Sequence, residues 1–295
     1  MDRSDEHYTL THRVEDKKFS IDHLTHYSLL LLVGSHDFQF CITDTREGGC
    51  MIIEDYALAN GLSPEQRTQA IHHLFEEHTL LMAGYWQTVK LAVKNRKCTL
   101  IPETFFSSEK LPHYLPLSVS VDAEHDGHYY YRHVQSKAVN VFAANKKMVE
   151  RIRSLYPSLD VPVIHQGSAL VEGVQGNRDF TYYKDIYLHI DRDYFSIVVT
   201  EDNDLLFYNQ FPYSSSQDIV KYTLTVMKAM KMSQDDSRVI LWEALPASSE
   251  HFQVLYRYVR NLEYGTRPTY LNFSYAFDEI PDHRYFDLYG LHVCE

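Results

Sequence analysis

Polar and apolar positions divide the chain into short blocks whose period changes several times. Tyr27 to Val33 is apolar except for Ser28, with four leucines in a row at Leu29 to Leu32. A bilayer span needs roughly 20 apolar residues, so this run reads as a buried strand. Gly34-Ser35-His36 is a turn, and Phe38 to Thr43 then alternates with period two. After the turn Thr45 to Gly49, Cys50 to Tyr56 reads as a third strand of an antiparallel meander. Ser63-Pro64-Glu65-Gln66 opens a helix, with Ser63 as N-cap and Pro64 in the first turn. Its apolar stripe is Ala70, Ile71, Leu74 and Phe75, and a fourth strand follows at Val89 to Lys94.

The same order returns later. Strands are expected at Asp185 to Ile190, Phe195 to Val199 and Leu205 to Phe211, with a turn at Glu201 to Asp204. Ser214 to Asp218 caps a helix whose stripe includes Ile219, Val220, Thr223, Val226, Met227 and Met230. A strand at Val239 to Trp242, a helix from Ser248 to Arg260 and a strand at Thr269 to Phe273 complete it. Between the two copies, strands are expected at Cys98 to Pro102, Tyr129 to Val134, Ala138 to Ala143 and Val161 to His165. Asn145 caps a helix reaching Tyr156, Leu111 to Gly127 is loop-like, and Gly167 to Val174 is a short helix.

A repeat spaced by about 150 residues is too long for a solenoid, whose period is roughly 20 to 50. It predicts two sibling lobes, each a mixed α/β sheet opening with a three-strand meander and flanked by helices. The expected division is a loose polar arm over residues 1–20, a first lobe over 21–177 and a second over 178–295.

This duplicated order resembles the actin, sugar kinase and Hsp70 superfamily, the ribonuclease H-like fold. More narrowly it is similar to the actin-like proteins of type IV pilus and type II secretion assembly. That likeness rests on Thr99 to Pro102, on Val139 to Ala144 with the helix after it, and on Asp185 to Tyr208. The chain as a whole, including the ending Tyr285 to Leu291 and Cys294-Glu295, resembles the bacterial family called domain of unknown function 3822. That family name carries no activity.

The superfamily resemblance implies a nucleotide site with three parts. Each first hairpin carries an Asp with a Gly two residues on, and a later second-lobe strand ends in Gly-Gly. Glycine is required there because a side chain blocks the approach of backbone to phosphate or purine. Here Leu32 stands at the first acid position, although Gly34 is present. In the second hairpin Asp191 matches the acid, but Asp193 replaces the glycine. Glu243-Ala244 stands where Gly-Gly is expected. The resemblance therefore implies a degenerate ATPase site: no catalytic residues, no cofactor and no ATP hydrolysis. Were a nucleotide held after all, Gly34 and Ser35 would face its phosphates and Asp191 would hold Mg²⁺.

Other chemistry reads as structural. His72, His73, Glu76 and Glu77 have a spacing that can hold zinc, but they lie off the apolar stripe and read as outward i, i+4 pairs. His125, His128 and His133 read as surface loop and strand. Ser168 lacks the surroundings of a nucleophile elbow and reads as a helix N-cap. The 23 tyrosines, with Tyr129-Tyr130-Tyr131 and Tyr182-Tyr183 clustered, suit strands and also protein interfaces. The strand at Tyr129 to Tyr131 is a candidate docking strip.

The net charge of −12 argues against a nucleic-acid partner, which needs concentrated Lys and Arg. No apolar run predicts membrane insertion, and the polar start with four scattered cysteines places the chain in the cytoplasm. Cys41 and Cys50 fall on neighbouring strands, so a disulfide is open to them, with free thiols the expectation. The expected function is that of a non-catalytic interaction or scaffold protein with a protein partner. The alternatives are a nucleotide-binding or phosphoryl-transfer protein with divergent cleft residues, and a self-assembling subunit, since homo-oligomers remain open.

Overall fold

The computed structural model describes residues 7–177, 184–243 and 250–295. They form two compact units. The first takes residues up to 133, 137–169 and 271–278; the second takes 134–136, 170–270 and 279–295. The division thus falls after Ala169 rather than at 177, and a late segment returns to the first unit. That return is held by backbone: Asn272 N–H donates to Gly48 O at 2.7 Å, and Cys50 N–H donates to Asn272 O at 2.9 Å.

The first unit opens with β1 (Tyr8–Glu15), β2 (Tyr27–Val33), β3 (Asp37–Asp44) and β4 (Cys50–Leu58). Helix α1 (Pro64–Glu77) and β5 (Thr88–Val93) follow. Every residue of β2 is buried, as expected of a central strand with an antiparallel neighbour on one side and a parallel one on the other. In α1, Ser63 and Gln66 form a reciprocal capping box and Pro64 occupies the first turn. Its buried face is Ala70, Ile71, Leu74 and Phe75, the stripe read from the sequence. An inserted layer contains β6 (Cys98–Pro102), α2 (Leu111–Tyr114), β7 (Asp126–His133) and β8 (Ala138–Asn145). It forms its own three-stranded sheet in the order β6-β8-β7. Helix α3 (Lys146–Leu155), capped by Asn145, leads to β9 (Val163–His165), which completes the large sheet β1-β4-β3-β2-β5-β9.

The expected loose arm is therefore wrong over β1. Seven of its eight residues pair antiparallel with β4, and Arg13 lies in register with Glu54. The polar alternation of β1 is that of an edge strand with one face to water, which reads on composition alone like an unstructured tail.

Helix α4 (Gln166–Gly176) carries the chain onward. Ser168 is not its cap: it lies within the helix, and the acceptor for Gly167 N–H is His165 Nδ1 at 3.0 Å. The second unit then repeats the plan with β10 (Lys184–Ile190), β11 (Tyr194–Glu201), β12 (Asp204–Pro212) and α5 (Ser216–Ala229). After these come β13 (Arg238–Glu243), α6 (Glu250–Leu255), β14 (Asn261–Tyr264) and α7 (Phe286–Gly290). The sheet order is β12-β11-β10-β13-β14, with β10, β13 and β14 parallel. The β11–β12 turn places Asp202 and Asn203 both at positive φ, the geometry that tightens a two-residue hairpin. Two expectations fail here. Helix α6 ends at Leu255, short of Arg260, and the last strand is β14 rather than Thr269 to Phe273. Asn272 makes only an isolated bridge to Gly49.

Buried apolar clusters occur in both units. In the second, Ile186, Leu188, Phe195, Ile197, Leu241 and Leu255 build the main core. On the other face of that sheet, Tyr187 and Phe286 stack on Trp242 at 5.5 and 3.7 Å. Among the described residues no helix is long and apolar enough to cross a membrane.

Candidate functional site

The first hairpin turn joins β2 to β3. Gly34 N–H donates to Asp37 O at 2.9 Å and closes the turn. Lys94, just past the end of β5, reaches over it: its Nζ meets Asp37 Oδ2 at 2.6 Å, with only 4% of the Lys94 side chain exposed. A Cβ added to Gly34 would lie 2.1 Å from Asp37 Oδ1 and 3.2 Å from Lys94 Cε. The absence of a Cβ here gives room to a carboxylate and does not serve an unusual φ. Leu32, at the expected acid position, is fully buried.

Beside this turn is a cavity of about 300 Å³ lined by Gly34, Ser35, Arg67, Lys94, Lys97 and Asp126, among others. Lys97 Nζ is paired with Asp126 Oδ2 at 2.5 Å. Arg67 Nη2 donates to Leu62 O at 3.4 Å, while its buried Nε makes no hydrogen bond. Burial pushes this guanidinium below its ordinary pKa.

The second hairpin turn, between β10 and β11, has different chemistry. Asp191 N–H donates to Tyr194 O at 3.0 Å, and Asp191 Oδ1 accepts from Arg192 N–H at 2.8 Å. The acid expected to hold a cation thus caps its own turn. Tyr213 donates its hydroxyl to Asp191 O at 2.6 Å. Burial, then the charges of Asp191, Glu243 and Asp193, push that hydroxyl up to about 12. Glu243 is fully buried at the end of β13, and Ala244 lies outside the described residues. Gly34 and Ser35 are therefore together in the first unit, and Asp191 is on its own turn in the second.

The histidine clusters are engaged locally. His72 Nε2 meets Glu76 Oε1 at 3.0 Å, and the guanidinium of Arg151 also contacts the His72 ring. Glu77 accepts from the Tyr8 hydroxyl at 2.7 Å, which ties α1 to β1. His125 Nδ1 lies 2.8 Å from Asp122 Oδ2. Among the described residues no three His, Cys, Asp or Glu side chains are grouped to hold a metal ion. Buried Ser168 Oγ accepts from Asn140 Nδ2 at 2.9 Å. Cys41 and Cys50 are free thiols, their sulfurs 3.5 Å apart. Tyr182-Tyr183 lies outside the described residues.

Sequence reasoning missed the Asp37–Lys94 pair. Its signal was a lysine placed directly after the apolar strand Val89 to Val93, where a charge has to find a partner. Arg67, on the first turn of α1, is half-buried and gave no signal in the sequence.

The family described as "Protein of unknown function (DUF3822)" matches residues 16–262. The chain belongs to this family. No curated protein matches it. Among solved structures, a Bacteroides thetaiotaomicron VPI-5482 protein "with actin-like ATPase fold and unknown function" is similar at TM-score 0.77 and 17% identity. The match covers 94% of this chain and 99% of that one. The PilM–PilN type IV pilus biogenesis complex is similar at TM-score 0.58 and 11% identity, over 90% of this chain and 97% of that one. The ethanolamine utilization protein EutJ of Carboxydothermus hydrogenoformans gives TM-score 0.52 and 10% identity, over 96% and 93%. This member of the family thus has the actin-like ATPase fold, with the mixed sheets expected of it. Identities this low speak for the fold alone.

Proposed function

We propose that this chain is a non-catalytic protein-interaction module on a degenerate actin-like ATPase fold. The observation that carries the reading is the occupied turn at Gly34. The space above its Cα is filled by the Asp37 carboxylate clamped by Lys94, and its N–H is spent on closing the turn. A phosphate approaching that backbone would meet a carboxylate first. The Asp191 turn supports the same reading, since its amide donates to Tyr194 O and its carboxylate accepts from Arg192 N–H. A fold neighbour, PilM, is solved in complex with PilN, so this architecture is compatible with a protein-binding role.

Thermal melts with and without ATP–Mg²⁺ test it. A ligand at 100 times its dissociation constant adds about 2.7 kcal/mol to stability. The expected result is no shift with millimolar nucleotide and no hydrolysis above background. A clear upward shift lost in Asp191→Ala would overturn the reading.

One observation favours a second reading, that of a protein binding nucleotide or another phosphorylated ligand. The 300 Å³ cavity beside Ser35 holds Arg67, whose Nε has no hydrogen bond. A melt shift with inorganic phosphate or ATP that disappears in Arg67→Met would establish it.

A further inference from the structure

Six strands end the three sheets: β1 and β9, β12 and β14, β6 and β7. Five are short or interrupted. β9 has three residues and β14 four. β6 ends at Pro102 and β12 at Pro212. Register shifts interrupt the pairing of β1 between Leu10 and His12, and of β12 opposite Val199 and Thr200. Shortness, proline and bulges are the usual means by which edges avoid taking on another strand. β7 uses none of them, although β9 and α2 pack against it. Its eight residues, Asp126 to His133, pair with Asn145 to Ala138 without a break.

The flank of β7 is also built like a recognition surface. Tyr130 is 41% exposed and its ring centre lies 4.9 Å from that of Phe106. Phe106 stacks on Tyr114 at 5.8 Å. The Arg132 guanidinium lies 5.0 Å over Phe106 and 5.6 Å over Tyr130. The Tyr114 hydroxyl donates to Phe105 O and accepts from Ser107 N–H, fixing the adjoining loop, from which Phe105 projects at 73% exposure. Rigid aromatics with an arginine are the side chains that dominate binding energy at interfaces.

We propose that β7 is a docking edge for an extended, acid-bearing segment of a partner protein, which adds as a further strand beside Tyr130 and Arg132. This rests on the protein-interaction reading above and gives it a surface and a partner chemistry. Charge decides between occupants. A second copy pairing antiparallel about Tyr130 would set Arg132 against His128, with no exposed acid on the strand, because Asp126 is buried on Lys97. An acidic residue in the partner would instead meet Arg132. The present partner of Arg132, Glu103 at 2.9 Å, forms an exposed pair of the kind that holds weakly and exchanges readily. Backbone bonds would supply affinity, and alternate side chains against Tyr130 and Phe105 would supply selectivity.

The test selects a phage library of random eight-residue peptides against the full chain and titrates the enriched peptides by fluorescence anisotropy. The expected hits carry an acidic residue. Arg132→Glu should weaken them about tenfold or more, and N-methylation of alternate peptide amides should abolish binding. Tyr130→Ser provides a second variant should Arg132→Glu melt early, and it is expected to weaken the same peptides. Three results would overturn the proposal: no enrichment, peptides indifferent to both variants and to N-methylation, or concentration-dependent dimers by ultracentrifugation that are lost in Arg132→Glu. None of these touches the response to ATP–Mg²⁺, so this surface can fail while the non-catalytic reading stands, and the reverse.

Discussion

The two meanders share their connectivity and differ in how each is finished. In the first unit β4 is covered by β1, and eight of the nine β4 residues are buried. In the second unit β12 ends the sheet, with alternating exposure, a register shift and a terminal proline. One edge is closed by an added strand and the other by local irregularity. The added strand is fixed from the side by a buried charge. Glu54 on β4 is fully buried: its Oε1 forms an ion pair with Arg13 of β1 at 3.0 Å, its Oε2 meets His78 Nε2 at 3.0 Å, and it accepts from the Tyr56 hydroxyl. The duplicated plan thus resides in connections and core pattern, while edges are settled by a few polar residues particular to each copy.

Removing that staple is the most severe way to break the comparison. Glu54→Ala leaves His78 and Tyr56 facing a void, while Arg13, whose side chain is 47% exposed, keeps its pair with Glu15. The expected loss is about 4 kcal/mol in denaturant unfolding, from the cavity and the two largely buried groups left without their partner. Hydrogen exchange should quicken over 8–15 and 50–58 and stay unchanged in 184–212. A loss below about 1 kcal/mol would mean that the backbone ladder alone holds β1. The acid limb carries the same information. Burial pushes Glu54 up, but hydrogen bonds from His78 and Tyr56 and the charges of His78 and Arg13 hold it below its ordinary value. A carboxyl lowered in the fold contributes stability above its unfolded pKa and loses it as pH falls through the folded value. Glu54→Gln should flatten that slope.

At the other end of the same sheet, His165 gives the next largest effect. It is fully buried; its Nε2–H donates to Asn95 O at 3.0 Å and its Nδ1 accepts from Gly167 N–H at 3.0 Å. Burial lowers it from 6.5 to about 4, partly offset by the bond to Asn95. Between those values the unfolded chain binds the proton and the folded chain does not, so stability falls with pH across that window. The loss should approach about 3 kcal/mol by pH 4. Protonation of Nδ1 would also set two N–H groups against each other at the start of α4. In the second unit the last strand is instead followed by Gly265, whose missing side chain admits the Trp242 indole. His165→Gln should remove the loss between pH 6.5 and 4. An unchanged slope would assign it to other groups.

Strands and capped helices were legible because their causes are local. Leu29 to Leu32 could only be buried, and Ser63-Pro64 and Asn145 announced helix starts that the structure keeps. β1 was not legible, because an edge strand with one wet face has a tail's composition until its partner is known. The last strand was misplaced because Thr269 to Phe273 is apolar for a different reason. Leu271 is buried, and Asn272 bonds the backbone of Gly48 and Cys50. At the candidate site, the sequence showed Leu32, Asp193 and Glu243-Ala244 where the superfamily pattern expects an acid and glycines. It did not show that Gly34 makes room for Asp37, since the Asp37 carboxylate is held there by Lys94, 57 residues away in the chain.

The two turns give the smallest and most pointed contrast. Gly34→Ala would drive a methyl into Asp37 Oδ1 and force the carboxylate off Lys94, whose side chain is buried. The expected loss is about 2 kcal/mol from overpacking and a weakened ion pair, read as a lower unfolding midpoint. Asp193→Gly restores the glycine that the superfamily pattern expects in the second turn. Because Asp193 is exposed and the turn is closed by Asp191 and Arg192, its effect on stability should stay under about 1 kcal/mol. ATP–Mg²⁺ should still give no melt shift in that variant, because Asp191 continues to cap its own turn. A shift appearing with Asp193→Gly alone would mean that a single side chain had closed the site. The two turns would then differ by one residue rather than by the internal bonds each has made.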